Sequence, residues 1–390
     1  MSFTLHRPPY VLPAIVFAQF AGTSLWFAGN AVVGLLPPDW GIGESELGYV
    51  TTSVQLGFVV GTLLFAFFGI ADRFSPSNVF LVCTFSGALT TLALVWIPPS
   101  LDLLLVLRFG TGFFLAGIYP VGMKIAASWF QEGLGRALGY LVGALVLGTA
   151  FPHLLATAGN EVNWHQVLWF VSLLAATGGL VIRIGVADGP HLPKGSPFNP
   201  NALRVIFQSR EFRASAFGYF GHMWELCAFW AFLPVWLAAA AVNAGTELNI
   251  SLWVFWVIAA GSLGCAGGGY LVAKFGSARV AGAQLLISGL CCLLSPLLFS
   301  APVWLLLAFL VVWGVTVVGD SPQFSTLNAQ TAPTEYVGSA LTIANSLGFL
   351  ITVLSIQLID LLTTQLEPRF WLCVLVLGPV FGINALRRVF

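Results

Sequence analysis

The sequence predicts an all-helical membrane protein of twelve transmembrane helices, arranged as two sets of six. Three observations support this prediction: the chain carries little charge, its apolar residues form twelve segments of spanning length, and its two halves repeat each other. Of the 390 residues, 58% are apolar and only 8% are charged, whereas soluble domains carry about 25% charged residues. The chain therefore has too few polar groups to be dissolved in water.

The twelve segments are predicted because a spanning helix needs about 20 mostly apolar residues. In the first half they cover about residues 10–36, 47–71, 78–98, 102–123, 136–158 and 165–186, and in the second half about 214–242, 250–273, 280–299, 302–323, 338–360 and 369–387. The long connector places Leu203, Ile206 and Phe207 opposite Arg204, Gln208 and Arg210, which predicts a short amphipathic helix. We therefore expect an N-terminal bundle over 1–186, a linker over 187–213 and a C-terminal bundle over 214–390.

The basic residues predict the orientation, because cytoplasmic loops of membrane proteins are enriched in Lys and Arg. With both termini in the cytoplasm, the cytoplasmic segments contain every Lys and Arg except Arg108 and Arg369, namely Arg7, Arg73, Lys124, Arg136, Arg183, Lys194, Arg204, Arg210, Arg213, Lys274, Arg279, Arg387 and Arg388. An odd number of spans would scramble this partition. We expect a multi-pass protein of the cell's inner (plasma) membrane that acts as a monomer.

Several classes of function are disfavoured by the sequence. The six cysteines all lie in apolar runs and lack metal-site spacing, so we expect neither a metal nor a cofactor. No basic stripe indicates nucleic-acid binding, and no nucleotide-binding loop is present. An enzyme in the membrane would need clustered His or carboxylate side chains, and these are scattered over the fourth, seventh and tenth segments. We therefore predict that the protein is not an enzyme.

An internal repeat relates the two halves. Gly112, Gly117 and Pro120 in the fourth segment recur as Gly314, Gly319 and Pro322 in the tenth, 202 residues later, and Arg73 recurs as Lys274 at an offset of 201. Because each half has an even number of spans, both halves enter the membrane from the same side. Such halves can rock about a site near the midplane, which is the alternating-access arrangement of secondary transporters.

The loop Gly69-Ile70-Ala71-Asp72-Arg73 and the run Arg108-Phe109-Gly110-Thr111-Gly112 resemble motifs of the major facilitator superfamily (MFS), over essentially the whole chain. Ser75-Pro76 departs from that loop motif, and the second copy at Lys274 lacks its Asp. The resemblance implies the MFS fold, secondary active transport and an Arg motif associated with proton coupling. The fifth segment has no Gly-Pro pair of the kind found in drug/proton antiporters of the family.

Three charged residues fall within spans, although a charge at mid-bilayer costs roughly 2.5–3.5 kcal/mol. Glu225 lies twelve residues past Arg213, so about 18 Å along the seventh helix. With His222 on the same face and Trp224 adjacent, it could bind and release a proton during the transport cycle. The alternative is a protonated Glu225 that is hydrogen-bonded to a neighbouring helix.

Arg108 and Asp320 are the other two. Arg108 could anchor an anionic substrate or repel the proton carrier, or it could pair within the N-terminal half near Pro152-His153. Asp320 lies beside Pro322 at a predicted bend. It could be a second proton site or part of an inner gate, or it could form a salt bridge to Lys124 or Arg136.

Neutral polar and aromatic residues within the spans are further candidates for lining a cavity. They are Gln19, Ser24, Trp26, Asn30, Gln55, Tyr119, Asn345 and Ser346. The charged residues at the cytoplasmic loops, Asp72, Arg73, Lys124, Arg136 and Lys274, are candidates for gating.

The leading hypothesis is a proton-coupled secondary transporter of a small organic solute, in which Arg108 and His222 favour an anion taken up by symport. A second hypothesis is export of a hydrophobic or cationic compound by proton antiport. A third is a receptor that keeps the transporter fold without translocating its ligand. The substrate itself cannot be inferred from the sequence.

Overall fold

The structure is a computed structural model that describes residues 8–43, 46–130, 133–157, 163–192, 199 and 202–387. In these ranges the chain forms helices and turns and no strand. Arg7, Lys194 and Arg388, which were used to predict the orientation, lie outside the described residues. Many large apolar side chains are exposed on the surface of the bundle, such as Val106, Leu263, Leu297 and Trp304. This is expected for a surface that contacts lipid.

The spans are numbered α1 to α12 in chain order. In the first half they are α1 (Val11–Thr23, continued by Ala28–Val33), α2 (Leu47–Phe67), α3 (Pro76–Ala93), α4 (Leu101–Trp129), α5 (Leu134–Leu155) and α6 (Trp164–Val186). In the second half they are α7 (Arg210–Asn243), α8 (Ile250–Phe275), α9 (Ser277–Leu298), α10 (Val303–Thr331), α11 (Thr334–Thr363) and α12 (Pro368–Leu386). The prediction of an all-helical membrane protein is thus confirmed, with eleven candidate spans and a broken first segment among the described residues.

The first segment differs from the prediction of one continuous helix. α1 is interrupted over residues 24–27, and neither of its two pieces has the length of a spanning helix. The other eleven spans are long and apolar enough to cross a membrane. A break leaves backbone carbonyls without helical partners, and inside a membrane such groups need another donor. The break therefore marks a place where protein groups must supply hydrogen bonds.

The seventh span begins earlier than predicted. α7 starts at Arg210, within the expected linker, because the side chain of Ser209 accepts a hydrogen bond from the amide of Phe212 and caps the helix. Its 34 residues give a helix of about 51 Å, longer than a bilayer core. The described part of the linker contains one short helix, Ala202–Ile206, in which Ala202 and Ile206 are buried and Leu203 is exposed. The predicted apolar face is therefore only partly the buried one.

The internal repeat corresponds to a repeated contact between helices. Gly112 of α4 lies against the carbonyl of Val54 in α2, and Gly314 of α10 lies against the carbonyl of Val257 in α8. A side chain at either glycine would collide with that carbonyl, so both positions need a residue without a Cβ. The two glycines that match at an offset of 202 therefore perform the same packing role in each half.

The two halves contact each other mainly through α5 with α8 and α2 with α11. We call the "basic end" the end of the bundle that carries Arg73, Lys124, Arg136, Arg183, Lys274 and Arg279, and the "far end" the opposite one. The contact between α5 and α8 extends over most of their length. Towards the far end the carbonyl of Thr157 accepts a hydrogen bond from Asn249, and towards the basic end the hydroxyls of Tyr140 and Tyr270 meet. α2 and α11 meet towards the far end, where Gln357 Nε2 donates to Thr52 Oγ1 at 2.8 Å.

Candidate functional site

A pocket of about 40 Å³ lies between the two halves, and we call it the central pocket. α1, α4 and α5 line it from one half, and α7, α10 and α11 from the other. The lining residues are Trp26, Phe27, Tyr119, Val142, Leu145, Thr149, Tyr219, Met223, Leu226, Cys227, Trp230, Val318, Ser321, Ser325, Asn345 and Phe349. Among the described residues that line it, none is an Asp, Glu, Lys, Arg or His. The site is therefore aromatic and apolar with a few neutral hydrogen-bonding groups.

The central pocket continues towards the basic end. A cavity of about 210 Å³ adjoins it and shares Tyr119, Tyr219, Ser325 and Asn345 with its lining. A further cavity of about 320 Å³ between α2, α4 and α11 reaches Asp72 and Lys124. A solute can therefore approach the pocket from the basic end.

Aromatic rings close the pocket at the far end. Trp26 stacks on Phe349 with ring centroids 5.4 Å apart, and Phe58 packs against the same ring at 4.4 Å. Phe27 and Trp230 meet edge to face at 6.1 Å. These contacts join α1 and α2 to α7 and α11. The structure is therefore a conformation that is open at the basic end and closed at the far end.

Arg108 is fully buried in α4 and binds the break in α1. Its guanidinium donates to the carbonyl of Leu25 at 3.2 Å and to the carbonyl of Trp26. These carbonyls lie in the break of α1, where neither helical piece continues. Gly29 permits this approach, since a Cβ there would lie 2.6 Å from Nε of Arg108. Arg108 is thus held by the N-terminal half, but by α1 rather than by the Pro152-His153 region.

His222 and Asp320 form a buried pair between α7 and α10. Nδ1 of His222 lies 2.8 Å from Oδ1 of Asp320, and the two side chains are 1% and 0% exposed. None of the ring nitrogens of His222 or the carboxylate oxygens of Asp320 has an aligned hydrogen-bond partner within the described chain, so the two side chains are in close contact without a well-formed hydrogen bond. Asp320 therefore contacts His222, and not the Lys124 or Arg136 of the salt-bridge alternative. Tyr219, one helical turn before His222, and Ser321, next to Asp320, both line the central pocket.

Glu225 lies deeper in the C-terminal half, among α7, α9 and α10. Its Oε1 accepts from Trp313 Nε1 at 2.6 Å and from Cys292 Sγ at 3.4 Å, and its Oε2 lies 2.9 Å from Ser288 Oγ. If Glu225 is protonated, its hydroxyl can donate to Ser288, whose own hydroxyl then donates to the carbonyl of Leu285 at 3.1 Å. The surroundings therefore satisfy the carboxyl group in both of its protonation states.

The neutral candidates divide between the pocket and the helix interfaces. Trp26, Tyr119 and Asn345 line the central pocket. Gln55 accepts from the indole of Trp26 at 3.3 Å, and Asn30 donates to Thr51 at 2.6 Å.

Four further candidates lie outside the lining of the central pocket. Gln19 and Ser24 are buried, and the amide of Gln19 has no partner among the described groups. Ser346 is buried too, and Trp224 borders an apolar groove on the outer surface with Phe217 and Leu354.

Sequence reasoning missed the main wall of the pocket, which is one face of α7. Tyr219, Met223, Leu226 and Trp230 follow one another at intervals of three or four residues, so they share one side of the helix. Tyr219 donates to Asn345 Oδ1 at 2.9 Å and ties this face to α11. This helical spacing of large apolar and aromatic residues is the sequence signal that identifies the stripe.

The gating candidates lie at the basic end. Lys124 of α4 donates to the carboxylate of Asp72 and, at 2.6 Å, to the carbonyl of Ala71. Lys274 lies over the ring of Phe275 at 5.1 Å, Arg73 is exposed, and Arg136 borders a groove between α5 and α8. Within the described ranges no group of three His, Cys, Asp or Glu side chains could hold a metal ion.

Comparisons with known proteins agree with this architecture. A solved bacterial homologue of the human lysosomal transporter Spinster, titled as inward-facing and unoccupied, has the same fold, with a TM-score of 0.71 over 97% of both chains at 15% identity. The uncharacterized transporter YgaY of Escherichia coli O157:H7 is 24% identical over 206 residues, which is 50% of each chain.

Two relatives with named substrates match over shorter stretches. The 4-hydroxybenzoate transporter PcaK of Pseudomonas aeruginosa is 28% identical over 163 residues, or 39% of this chain and 35% of the relative. The D-galactonate transporter of Escherichia coli O6:H1 is 27% identical over 164 residues, or 40% and 36%. The chain thus matches half or less of the length of these curated relatives.

The family model of the Major Facilitator Superfamily matches residues 15–356, which is most of the chain. Together with the transporter relatives and the helical fold, this match identifies a multi-pass membrane transporter and not an enzyme. The predicted resemblance is confirmed, and the chain belongs to the Major Facilitator Superfamily.

Proposed function

We propose that this transporter takes up a small organic anion together with a proton. The proposal depends on one observation: the central pocket lies between a fixed positive charge in one half and a titratable pair in the other. Trp26 lines the pocket and its carbonyl binds Arg108. Ser321 also lines the pocket and follows Asp320, which pairs with His222.

The sign of these charges determines the mode of coupling. An ionised Asp320 repels an anion in the pocket, and protonation of the His222–Asp320 pair removes that repulsion. An anion therefore binds best together with a proton, which is symport. A cation would bind best to the ionised pair and leave on protonation, which is antiport, but the guanidinium of Arg108 disfavours a cation.

The lining supports a small organic solute with an aromatic or hydroxylated body. Trp26, Tyr119 and Phe349 offer ring faces, and Asn345 and Ser325 offer hydrogen bonds. The pocket of about 40 Å³ is smaller than the 300–1,000 Å³ of typical ligand sites, so binding must widen it from the adjoining cavity. The names of the relatives, 4-hydroxybenzoate and D-galactonate transporters, support the anion class.

The orientation and assembly belong to the same proposal. The protein lies in the plasma membrane with its basic end on the cytoplasmic side, as the positive-inside rule favours. The structure is then the inward-open conformation of a transporter that works as a monomer. Opening of the contacts among Trp26, Phe58 and Phe349 would expose the pocket to the far side.

Uptake by proteoliposomes under an imposed pH gradient tests this function. With the acidic side outside, we expect accumulation of 4-hydroxybenzoate or D-galactonate, the solutes named for the relatives, and loss of accumulation on adding a protonophore. Liposomes without protein control for passive entry of the neutral acid. Gradient-driven movement of a lipophilic cation in the opposite direction, without anion uptake, would contradict the proposal and favour antiport.

Substitutions of Glu225 distinguish a structural role of this side chain from a role as the carrier of the coupled proton. We expect Glu225→Gln to keep gradient-driven uptake, because the amide can donate to Ser288 and accept from Trp313 as the protonated acid does. Glu225→Ala leaves these donors unpaired, at about 1–3 kcal/mol for each buried group, so its Tm should fall. If Glu225→Gln exchanges substrate normally but no longer accumulates it, the coupled proton is carried by Glu225.

A further inference from the structure

A groove of about 360 Å³ lies on the outer surface where the two halves meet at the basic end. α5 contributes Gly133, Gly135, Arg136, Gly139 and Tyr140, and α8 contributes Ala266, Gly269, Tyr270, Val272 and Ala273. A Cβ added at Gly135 or Gly269 would meet nothing within 4 Å. The groove is therefore open space beside residues 133–140 of α5 and 266–273 of α8, about 10 Å along each helix.

The end of this groove has the chemistry of an anion site. Arg136 is exposed, and its guanidinium forms no salt bridge with any described carboxylate. It lies in the first turn of α5, whose N-terminal amides point out of the helix and favour negative charge. The hydroxyls of Tyr140 and Tyr270, 3.3 Å apart and from opposite halves, lie next along the groove and can donate to an oxygen ligand.

We infer that an anionic phospholipid binds in this groove, with its phosphate at Arg136 and the start of α5, its glycerol ester region at the two tyrosines, and an acyl chain along the glycine-lined channel. Charge complementarity selects this occupant, since a basic group at the membrane surface attracts anionic lipids. The apolar remainder of the groove excludes a free phosphate as the preferred ligand. The proposal needs no assumption about the transported solute.

A lipid in this position would contact both halves at once. The groove requires α5 and α8 to be in contact at the basic end, where Tyr140 and Tyr270 meet. Because a ligand favours the conformation that it binds best, the lipid would stabilise the arrangement in which these helix ends touch. Membrane composition would thereby influence the conformational equilibrium of the transporter.

Thermal unfolding of the purified full-length transporter in detergent tests the inference. Dioctanoyl phosphatidylglycerol should raise the Tm in a saturable manner, whereas dioctanoyl phosphatidylcholine and glycerol 1-phosphate should not. Arg136→Gln should weaken the apparent affinity for phosphatidylglycerol about fivefold, the value of one basic residue at an anionic surface. Gly269→Leu, whose Cβ would meet nothing within 4 Å and whose side chain would occupy the channel, should weaken it as well.

Arg183→Gln is the matched control, because Arg183 is an exposed arginine at the basic end of α6, outside the groove. It should respond to phosphatidylglycerol as the wild type does. An equal response in wild type, Arg136→Gln and Gly269→Leu would overturn the proposal, and so would an equal shift with glycerol 1-phosphate. If Arg136→Gln fails to fold, Gly269→Leu and the lipid comparison on the wild type still decide the question.

Discussion

Asp320→Asn is expected to abolish gradient-driven accumulation while leaving exchange of substrate intact. The amide has nearly the shape of the carboxylic acid and imitates its protonated state, so the anion can still bind. It cannot release a proton, so the pH gradient no longer drives transport. In the wild type, one proton carried with each monovalent anion would allow about tenfold accumulation per pH unit, and the variant should only equilibrate.

Counterflow measurements at several pH values complete this test. Exchange by the wild type should slow as the pH rises, because deprotonation of the His222–Asp320 pair returns the charge that repels the anion. Exchange by Asp320→Asn should not vary with pH in this way. Glu225→Gln is the control, since it also neutralises a buried carboxyl of the C-terminal half. Unchanged accumulation by Asp320→Asn would remove the pair from the coupling mechanism.

The contrast between these two carboxyls shows what the sequence could and could not predict. Counting residues from Arg213 places Glu225 about 18 Å along its helix, and predicting this depth needs only the rise per residue of an α-helix. The side of the helix that faces the pocket depends on how α7 packs. Tyr219, Met223 and Trp230 line the pocket, and Glu225 falls on nearly the opposite side at about 100° per residue. Its hydrogen-bond partners on α9 and α10 lie more than 60 residues away along the chain.

The break in α1 has a similar explanation. The apolar content of 10–36 predicted one continuous span, and no proline in residues 24–27 indicated that the helix would be interrupted there. Within the break, the carbonyl of Trp26 binds the guanidinium of Arg108, which lies 82 residues away in sequence. Sequence analysis recognised that Arg108 needed partners, but it could not identify backbone carbonyls that are available only once the helix is broken.

The packing of helices within each half, in contrast, was predictable because it occurs in both halves. The match of Gly112 with Gly314 required no knowledge of contacts, and both glycines lie at the crossing of a helix with the one two spans earlier. Comparison of the two halves of the sequence can reveal only structural features that occur in both. It cannot detect the site, because Arg108 occurs only in the first half and Asp320 only in the second. The residues that we propose to be functional are those that depart from the repeat.

Arg108→Met is expected to weaken anion binding strongly with only a modest change in stability. Removing the guanidinium leaves the carbonyls of Leu25 and Trp26 without their donor, at about 1–3 kcal/mol each. It also removes a buried charge that costs about 2.5–3.5 kcal/mol at this depth. These terms oppose each other, so the Tm should change little.

The electrostatic effect on the substrate has no such compensation. Two unit charges about 10 Å apart at an effective dielectric constant of about 20 interact by about 1.7 kcal/mol, so KM for the anion should rise more than tenfold. Binding of a neutral analogue, such as the methyl ester of the transported acid, should be unaffected.

Gly29→Ala supplies an independent form of the same experiment. It keeps the charge but places a Cβ 2.6 Å from Nε of Arg108, which must displace the guanidinium from the break in α1. We expect it to weaken anion binding less than Arg108→Met does, while Arg183→Met, which removes an exposed charge at the basic end, should transport normally. If Arg108→Met weakens binding of the anion and of its neutral analogue equally, Arg108 serves to hold α1 in shape and does not act through its charge on the substrate.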